Sequence, residues 1–244
     1  MGMAGTIVAW LRDYAALAGA KGYVLGLSGG IDSACVAALC QRAMGNQHVL
    51  GAWLPCHSSA EDAGMADLVA RSFGLRMITV NLDSPYDALV AVLPVRTLDL
   101  ARANLKPRLR MAAWYALAQT RGYLVAGAGN KSEIMVGYCT KYGDAGVDLL
   151  PLGDLYKSQV RVLARELGVP QPVIDRAPSA GLWPGQTDEG EIGITYCDLD
   201  AALAAVEVGN PEGVDPELLS RVQRMVARSA HKRALPPICR VTQS

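Results

Sequence analysis

Gly22-Tyr23-Val24-Leu25-Gly26-Leu27-Ser28-Gly29-Gly30-Ile31-Asp32-Ser33 is the stretch on which the fold turns. Its first half is a short apolar run of the kind that forms a strand buried on both faces. Ser28-Gly29-Gly30 breaks that strand, and residues 31–44 read as a helix. A strand that turns through glycines into a helix suits anions. The glycines let backbone N–H groups approach a polyphosphate closely, and the helix N-terminus adds partial positive charge. Ser28 and Ser33 can add hydroxyl hydrogen bonds to phosphate oxygens. Asp32 cannot face phosphate unaided, because like charges repel, so a carboxylate there makes sense as a Mg²⁺ ligand. No G-x-x-x-x-G-K-[ST] run is present, which separates this turn from the common P-loop. Taken alone, the turn is also compatible with a glycine-rich N-cap that holds no ligand.

Outward from this turn the strand–helix alternation repeats. Residues 4–19 precede it as an amphipathic helix, with Ile7, Leu11, Tyr14 and Leu17 or Ala18 on one side. Residues 48–54 (HVLGAWL), 75–81 (LRMITVN) and 122–128 (GYLVAGA) read as further strands, with a helix over 61–73. Ser84-Pro85 opens another helix, proline being well placed in a first turn. Residues 98–119 look helical, with Pro107 as a kink or break. Apolar strands alternating with helices predict an α/β fold with a doubly wound parallel sheet covered on both faces. Ligands of such sheets bind at the carboxyl ends of the strands. Two of the predicted strands end there in polar, glycine-rich turns, Ser28-Gly29-Gly30 and residues 127–130.

Beyond residue 150 the pattern changes. Residues 156–167 read as a helix stopped by Gly168 and Pro170. Residues 178–191 are rich in Gly, Pro and charge without periodicity and read as a mobile loop. Residues 198–208 and 216–230 are helical, and 231–244 form a polar tail. A single domain over 1–244 with a C-terminal helical part is the expectation.

With 51% apolar residues the chain can bury a full core, and equal numbers of basic and acidic residues leave no basic excess of the kind a dedicated nucleic-acid binder carries. The six cysteines contain no C-x-x-C pair and read as reduced thiols, not a zinc ribbon. The N-terminus lacks the basic start and unbroken apolar run of a signal peptide, and no stretch approaches the roughly twenty apolar residues of a membrane span. A cytoplasmic protein with no membrane and no nucleic-acid partner is expected. Cys56-His57 lacks a third member and reads as structural.

S-G-G-x-D-S after a strand resembles the pyrophosphate loop of the ATP pyrophosphatase (PP-loop) superfamily, whose adenine-nucleotide alpha-hydrolase-like members cleave ATP between its α- and β-phosphates and adenylate a substrate. Within that superfamily, residues 129–148 (GNKSEIMVGYCTKYGDAGVD) and the following LLPLGDLYK to Lys157 closely resemble the NAD synthetase family. Its members carry G-x-x-x-x-E, T-K-Y-G-D-G-G-x-D-x-x-P-L and a lysine here. Ala177-Pro178-Ser179-Ala180, residues 188–196 (DEGEIGITY), residues 103–111 (ANLKPRLRM) and His231-Lys232-Arg233 are similar to further segments of that family. The likeness spans about 5–236.

The resemblance implies an ammonia-dependent NAD synthetase: deamido-NAD, ATP and ammonia give NAD, AMP and pyrophosphate through an acyl-adenylate. It implies Mg²⁺ held by Asp32 and Glu133, with Lys157 completing the catalytic set, and ATP bound by Gly26, Leu27, Ser28, Gly29, Gly30, Asp32, Ser33, Lys157 and Ser179. Deamido-NAD falls to Asn104, Arg108, Lys141, Tyr142, Asp144, Asp148, His231 and Lys232, with Arg110 beside them. Asp144 is a candidate base for ammonia. A homodimer is implied as well, with the apolar helices over 4–19 and 100–120 as the subunit contact. No glutaminase domain is expected, which leaves free ammonia or a separate glutaminase as the nitrogen source. By residue type alone Glu133 also fits an ordinary first-turn helix glutamate, Lys157 a solvated lysine, and the His-Lys-Arg tail plain surface charge. Competing readings are a tRNA-modifying or GMP-synthetase-like adenylating enzyme, and a nucleotide-binding regulator with a dead site. The first lacks its paired cysteines or meets a foreign K-Y-G-D segment; the second is opposed by the presence of Asp32, Glu133 and Lys157 together.

Overall fold

The computed structural model describes residues 2–93, 99–183, 185–210 and 212–241. Strand β1 (Tyr23–Gly26) pairs in parallel with β2 (Val49–Trp53), which pairs in parallel with β3 (Arg76–Thr79). On its other side β1 pairs in parallel with β4 (Leu124–Val125), so the order is β3-β2-β1-β4. The chain therefore builds outward from β1 in one direction and returns to its opposite flank. The reversal point between β1 and β4 opens a crevice at the carboxyl ends of both strands.

Alternate residues of β1 feed different cores, which is why the run reads as continuously apolar. Tyr23 and Leu25 pack with helices α1 (Met3–Leu17), α2 (Ile31–Met44) and α3 (Ala60–Ser72) on one face. Val24, with Leu50, Ala52 and Val125, faces the other side. There α4 (Asp83–Val92), α5 (Asp99–Ala103) and α6 (Leu105–Gln119) follow one another, and α6 lays Leu109, Ala113, Trp114 and Leu117 on the sheet. Helix α7 (Lys131–Val136) follows β4. Helices α8 (Lys157–Leu167) and α9 (Gln171–Asp175) return to the first face, where Val160, Leu163 and Ala164 meet α2. A third, smaller core is formed by α7, α10 (Asp188–Ile192), α11 (Tyr196–Val208) and α12 (Pro216–Ser229) around Leu199, Leu203 and Val222.

Three expectations change. The helix read over 98–119 is two pieces parted at Asn104, with residue 98 outside the described residues. Pro107 does not kink it: it lies in the first turn of α6, where a backbone N–H has no intrahelical acceptor to lose. The fourth strand spans two residues, not seven, because beyond Val125 the chain is met by residues 148–149: Asp148 accepts from Val125 N–H at 2.7 Å and Ala126 bridges Leu149. The segment read as a loop over 178–191 ends in helix, since Asp188 to Ile192 is α10, N-capped by Thr187.

Leu163 is fully buried between α8 and α2. Leu163→Ala should cost about 2–5 kcal/mol by the cavity it leaves, read as a lowered midpoint with unchanged slope in urea unfolding.

Candidate active site

Gly29 has φ +77°, and a Cβ on it would stand 2.5 Å from Met65 Cβ, so the turn after β1 accepts only glycine there. Gly26 is glycine for packing: a Cβ would lie 2.5 Å from the Trp114 ring. Within the turn, Ser28 and Ser33 hydroxyls share a 3.0 Å hydrogen bond, Ser33 donates to Gly30 C=O at 2.9 Å, and Gly30 N–H donates to Ser28 Oγ at 3.2 Å. Helix α2 begins at Gly30 with no side-chain cap. Its first-turn N–H groups thus face the crevice with their partial positive charge unopposed by a capping oxygen.

Across the crevice α7 opens on a capping box. Asn130 Oδ1 accepts from Glu133 N–H at 3.1 Å, and Glu133 Oε2 accepts from Asn130 N–H at 3.4 Å. The fully buried Asn130 also donates from Nδ2 to Asp32 Oδ1 at 2.9 Å. One amide therefore orients both carboxylates. Lys157, the first residue of α8, is 1% exposed, and its Nζ lies 2.6 Å from Asp32 Oδ2 and 3.1 Å from Glu133 Oε1. Its helix is held in place by Ser132 Oγ, which accepts from Lys157 N–H, and by Asp200, which accepts from Ser158 N–H at 2.9 Å. The Lys157 ammonium also stands over the Tyr196 ring, 4.8 Å from its centroid.

The electrostatics of this cluster follow from burial. Desolvation pushes the Glu133 carboxyl up to about 7; Lys157 opposes that rise and Asp32 adds to it. Burial works against the Lys157 charge, but the attraction of Asp32 and Glu133 outweighs it and holds its pKa above the ordinary lysine value. Tyr196 OH lies 3.0 Å from both Glu133 Oε1 and Asp188 Oδ2, and Tyr138 OH lies 3.0 Å from Asp188 and 2.9 Å from Glu191, so each single hydroxyl proton is shared between two carboxyls. The Asp188 carboxyl is raised by desolvation, with Lys157 opposing. One buried lysine thus faces Asp32, Glu133 and Asp188, an excess of negative charge that favours a further cation. Two carboxylates aimed at one point, with phosphate oxygens to complete the shell, suit Mg²⁺, which binds through one or two carboxylates plus substrate phosphates. The donor set therefore fits that ion. Among the described residues no all-protein cluster of three metal-ligating side chains occurs.

A cavity of about 450 Å³ opens over this cluster. Of the residues singled out from sequence, Gly26, Leu27, Ser28, Gly30, Asp32, Ser33, Glu133, Lys157, Ser179, Asn104, Asp144 and Lys232 line it. Asp144 Oδ1 accepts from Thr140 N–H at 2.8 Å, and desolvation by the surrounding walls raises its carboxyl although its surface stays open to solvent. Asn104 Oδ1 accepts from Thr140 Oγ1 at 2.7 Å. Lys232 Nζ donates to Gly137 and Cys139 carbonyls, both at 2.7 Å.

The remaining candidates lie elsewhere. Arg108 is exposed and donates to Lys141 C=O, Lys141 donates to His231 C=O, and the Lys141 ammonium stands 5.3 Å from the Tyr142 ring. These four form one surface cluster beside the cavity, not inside it. Asp148 is occupied on both oxygens, by Tyr115 OH at 3.1 Å and Val125 N–H at 2.7 Å, and is part of the sheet edge. Cys56 and His57 make no dyad: the thiol is buried and raised by desolvation, while His57 Nε2 lies 2.9 Å from Asp87.

Of Arg108 and Arg110, it is Arg110 that stands on the cavity wall, where it donates to Leu54 C=O at 3.0 Å. Asn104, Pro107, Arg110 and Trp114 share one stripe of α6 at helical spacing, a signal legible in the sequence, and Arg108 falls off it. Arg176 was not singled out. It lines the cavity and pairs with Asp62 and, at 3.6 Å, Glu61. Asn130, Tyr138, Tyr196, Asp188 and Glu191 were likewise missed; the Asn-x-x-Glu capping box was the available signal for the first, and the DEGEIGITY likeness for three of the others.

The NAD synthase family model matches residues 3–236, nearly the whole chain. The chain belongs to the NAD synthase family. Among curated members, the NH(3)-dependent NAD(+) synthetase of Carboxydothermus hydrogenoformans is 49% identical over 95% of this chain and 94% of its own length. Two solved members of similar fold are an NMN synthetase from Francisella tularensis (36% identity, TM-score 0.90, 98% of each chain) and an NH3-dependent NAD synthetase from Campylobacter jejuni in complex with the nitrate ion. The second shows 28% identity and a TM-score of 0.85, covering 98% of this chain and 100% of that one.

Lys157→Met should destabilise the chain by about 3–5 kcal/mol, because two buried carboxylates lose their counter-charge. The sign of the pH effect follows from Glu133. Its carboxyl in the fold lies above its ordinary 4.5, so the folded state holds a proton the unfolded chain releases, and stability falls as pH rises toward about 7. The K157M loss, measured by chemical unfolding, should therefore be larger at pH 8 than at pH 5.

Proposed function

We propose that the chain is an ammonia-dependent NAD synthetase that adenylates the carboxylate of deamido-NAD with ATP and amidates it with ammonia. The observation that carries this reading is the Asp32–Lys157–Glu133 cluster set against an uncapped helix N-terminus in a NAD synthase family chain. The pyrophosphate portion of ATP fits the turn over 28–30, where N–H groups and the Ser28 and Ser33 hydroxyls supply donors. Asp32 and Glu133 would hold Mg²⁺, which when bound neutralises phosphate charge. Lys157, between those carboxylates, donates to the leaving pyrophosphate and offsets part of the site's negative charge. Ser179 adds a hydroxyl from the wall opposite. The substrate carboxylate oxygen attacks the α-phosphorus, the bond to the β-phosphate oxygen breaks, and pyrophosphate leaves. Ammonia then adds to the acyl carbon and AMP departs.

Asn104, Asp144 and Lys232 on the cavity wall, with Arg110, are the proposed contacts to the acid substrate. Arg108, Lys141, Tyr142 and His231 would read its outer portion, in a homodimer whose contact runs beside that surface cluster. Asp148, whose two oxygens each accept one protein hydrogen bond, keeps a second lone pair on each and stays in the proposed set. Asp144 is the proposed base for ammonia on the strength of its raised, solvent-open carboxyl. Six free thiols, three of them buried, fit a reducing cytoplasm. No helix among the described residues is long and apolar enough to cross a membrane.

A second reading rests on the likeness to an NMN synthetase, which makes the mononucleotide acid the competing acceptor. The test is amide formation from deamido-NAD and from nicotinate mononucleotide, each with ATP and Mg²⁺, and with ammonium or glutamine as donor. Product from deamido-NAD with ammonium, with equimolar AMP and pyrophosphate, is the expected result. Preference for the mononucleotide by tenfold or more in kcat/KM moves the assignment to the second reading, and failure with both acids removes it.

Asp32→Asn and Glu133→Gln should each lower substrate-dependent pyrophosphate release by about 10²–10³, the range seen when one charge-stabilising group is removed. Each should also shift the Mg²⁺ dependence to higher concentration. Rates within threefold of the parent would take both carboxylates out of the mechanism.

A further inference from the structure

Helix α8 begins at Lys157 with no side-chain cap at Tyr156. The first N–H groups of a helix have no intrahelical acceptor and need one from elsewhere. Two of them find it on other helices. Ser132 Oγ, in the first turn of α7, accepts from Lys157 N–H at 3.0 Å, and Asp200 Oδ2, on α11, accepts from Ser158 N–H at 2.9 Å. Ser132 in turn donates its own proton to Asp200 Oδ1. One carboxylate therefore bonds both the start of α8 and the residue that precedes Glu133 on α7.

Asp200 stands where a carboxylate is costly. It is only 7% exposed, Ser132 is fully buried, and among the described residues no Lys, Arg or His pairs with it. A buried carboxylate without an ion partner persists only where hydrogen bonds and dipoles hold it, here the hydroxyl of Ser132 and the N-terminus of α8. Two turns further along α11, on the same face, Glu207 repeats the pattern at the surface. It pairs with Lys131 at 2.8 Å and accepts from Tyr156 OH, again one contact to α7 and one to the start of α8. A pair open to solvent contributes little, so the buried member carries the placement. Neither Ser132 nor Asp200 is among the residues that line the cavity. They reach Lys157 and Glu133 from behind. That position matters once a nucleotide is bound, because phosphate oxygens then compete for the Lys157 ammonium and loosen its contact with Glu133. A link on the far side is untouched by that competition.

We propose that Asp200 is a positioning residue for the reaction: through Ser132 and the first turn of α8 it fixes Lys157 relative to Glu133 while both serve the nucleotide. The scheme rests on the adenylating reading above. Asp200 touches no reacting atom. Its effect falls on the step in which charge develops on the leaving pyrophosphate, where a displaced ammonium stabilises the transition state less. Binding of either substrate, which depends on the cavity walls, is left as it was.

Two measurements decide it. Asp200→Asn keeps the shape of the side chain but brings one acceptor where the carboxylate uses two, so Ser132 O–H and Ser158 N–H cannot both be served. Hydrogen exchange on the full chain without substrates should show the Lys157 and Ser158 amides of D200N exchanging at least about tenfold faster, with the α2 amides at the parent's rates. In turnover, D200N should lower kcat about tenfold while KM for ATP and for deamido-NAD stays within about twofold. Ser132→Ala should do the same, and the double variant should lose about tenfold, not about a hundredfold, since both changes cut one path. Val222→Ala loosens the same small core without touching that path, and its kcat should stay within about twofold of the parent. Unchanged exchange at both amides in D200N overturns the link. Faster exchange with kcat kept, or an equal fall of kcat in V222A, overturns the positioning role. If D200N does not fold, S132A takes its place in both measurements. Exchange needs no substrate, so it decides whether Asp200 holds the two helices even where the parent forms no amide, an outcome that counts against the adenylating reading alone.

Discussion

The buried ion cluster of Lys157 with Asp32 and Glu133 is the interaction on which the rest of the structure depends. Three charges on three separate elements meet within hydrogen-bond distance in surroundings from which water is largely removed. At an effective dielectric constant of about 20, each contact is worth about 5–6 kcal/mol in gross Coulomb energy, and the desolvation of each ion takes back several of those. The net effect on stability is therefore modest, while the effect on geometry is large. Removing Lys157 leaves two buried carboxyls without their counter-charge, and its two contacts tie α2, α7 and α8 to a single relative placement. Asn130 and Asp200 tighten that placement from either side by bonding Asp32 and the first turn of α8.

The sheet explains why these three elements can meet. The reversal of strand order between β1 and β4 leaves two strand ends side by side, each leading into a helix. Asp32 and Glu133 each sit in the first turn of such a helix, so both carboxylates are delivered to one crevice by topology. Lys157 comes from outside the sheet, on a helix packed over α2 by Val160, Leu163 and Ala164. Apolar packing on one face thus sets the position of a cation on the site, and core and chemistry are one mechanical unit here.

The walls of the cavity divide the chemistry. The glycine turn and the α2 N-terminus offer partial positive charge, and the Asp188–Tyr138–Glu191 wall offers negative charge and hydroxyls. The two walls of the cavity thus differ in sign. Beside them lie residues 177–183 and 185–187, flanked by the Arg176–Asp62 ion pair and the Asp188–Tyr196 contact, with Leu182 C=O accepting from Lys106.

The alternation of apolar runs with helices, the glycine turn after β1, and the place of Asp32 in the first turn of the helix that follows were all legible in the residues, because they depend on local period and local chemistry. So was the stripe of Asn104, Pro107, Arg110 and Trp114 along α6, though not that this stripe faces the cavity. Only the tertiary structure decided that Lys157, 125 residues from Asp32, neutralises it. The same holds for Asp148, which seals the edge of β4, and for Arg108, Lys141, Tyr142 and His231, which gather on a neighbouring surface. The physical reason is that an ionisable side chain acquires its role from the partners that reach it and from how much water they exclude. Both are set by long-range packing, which sequence spacing does not encode.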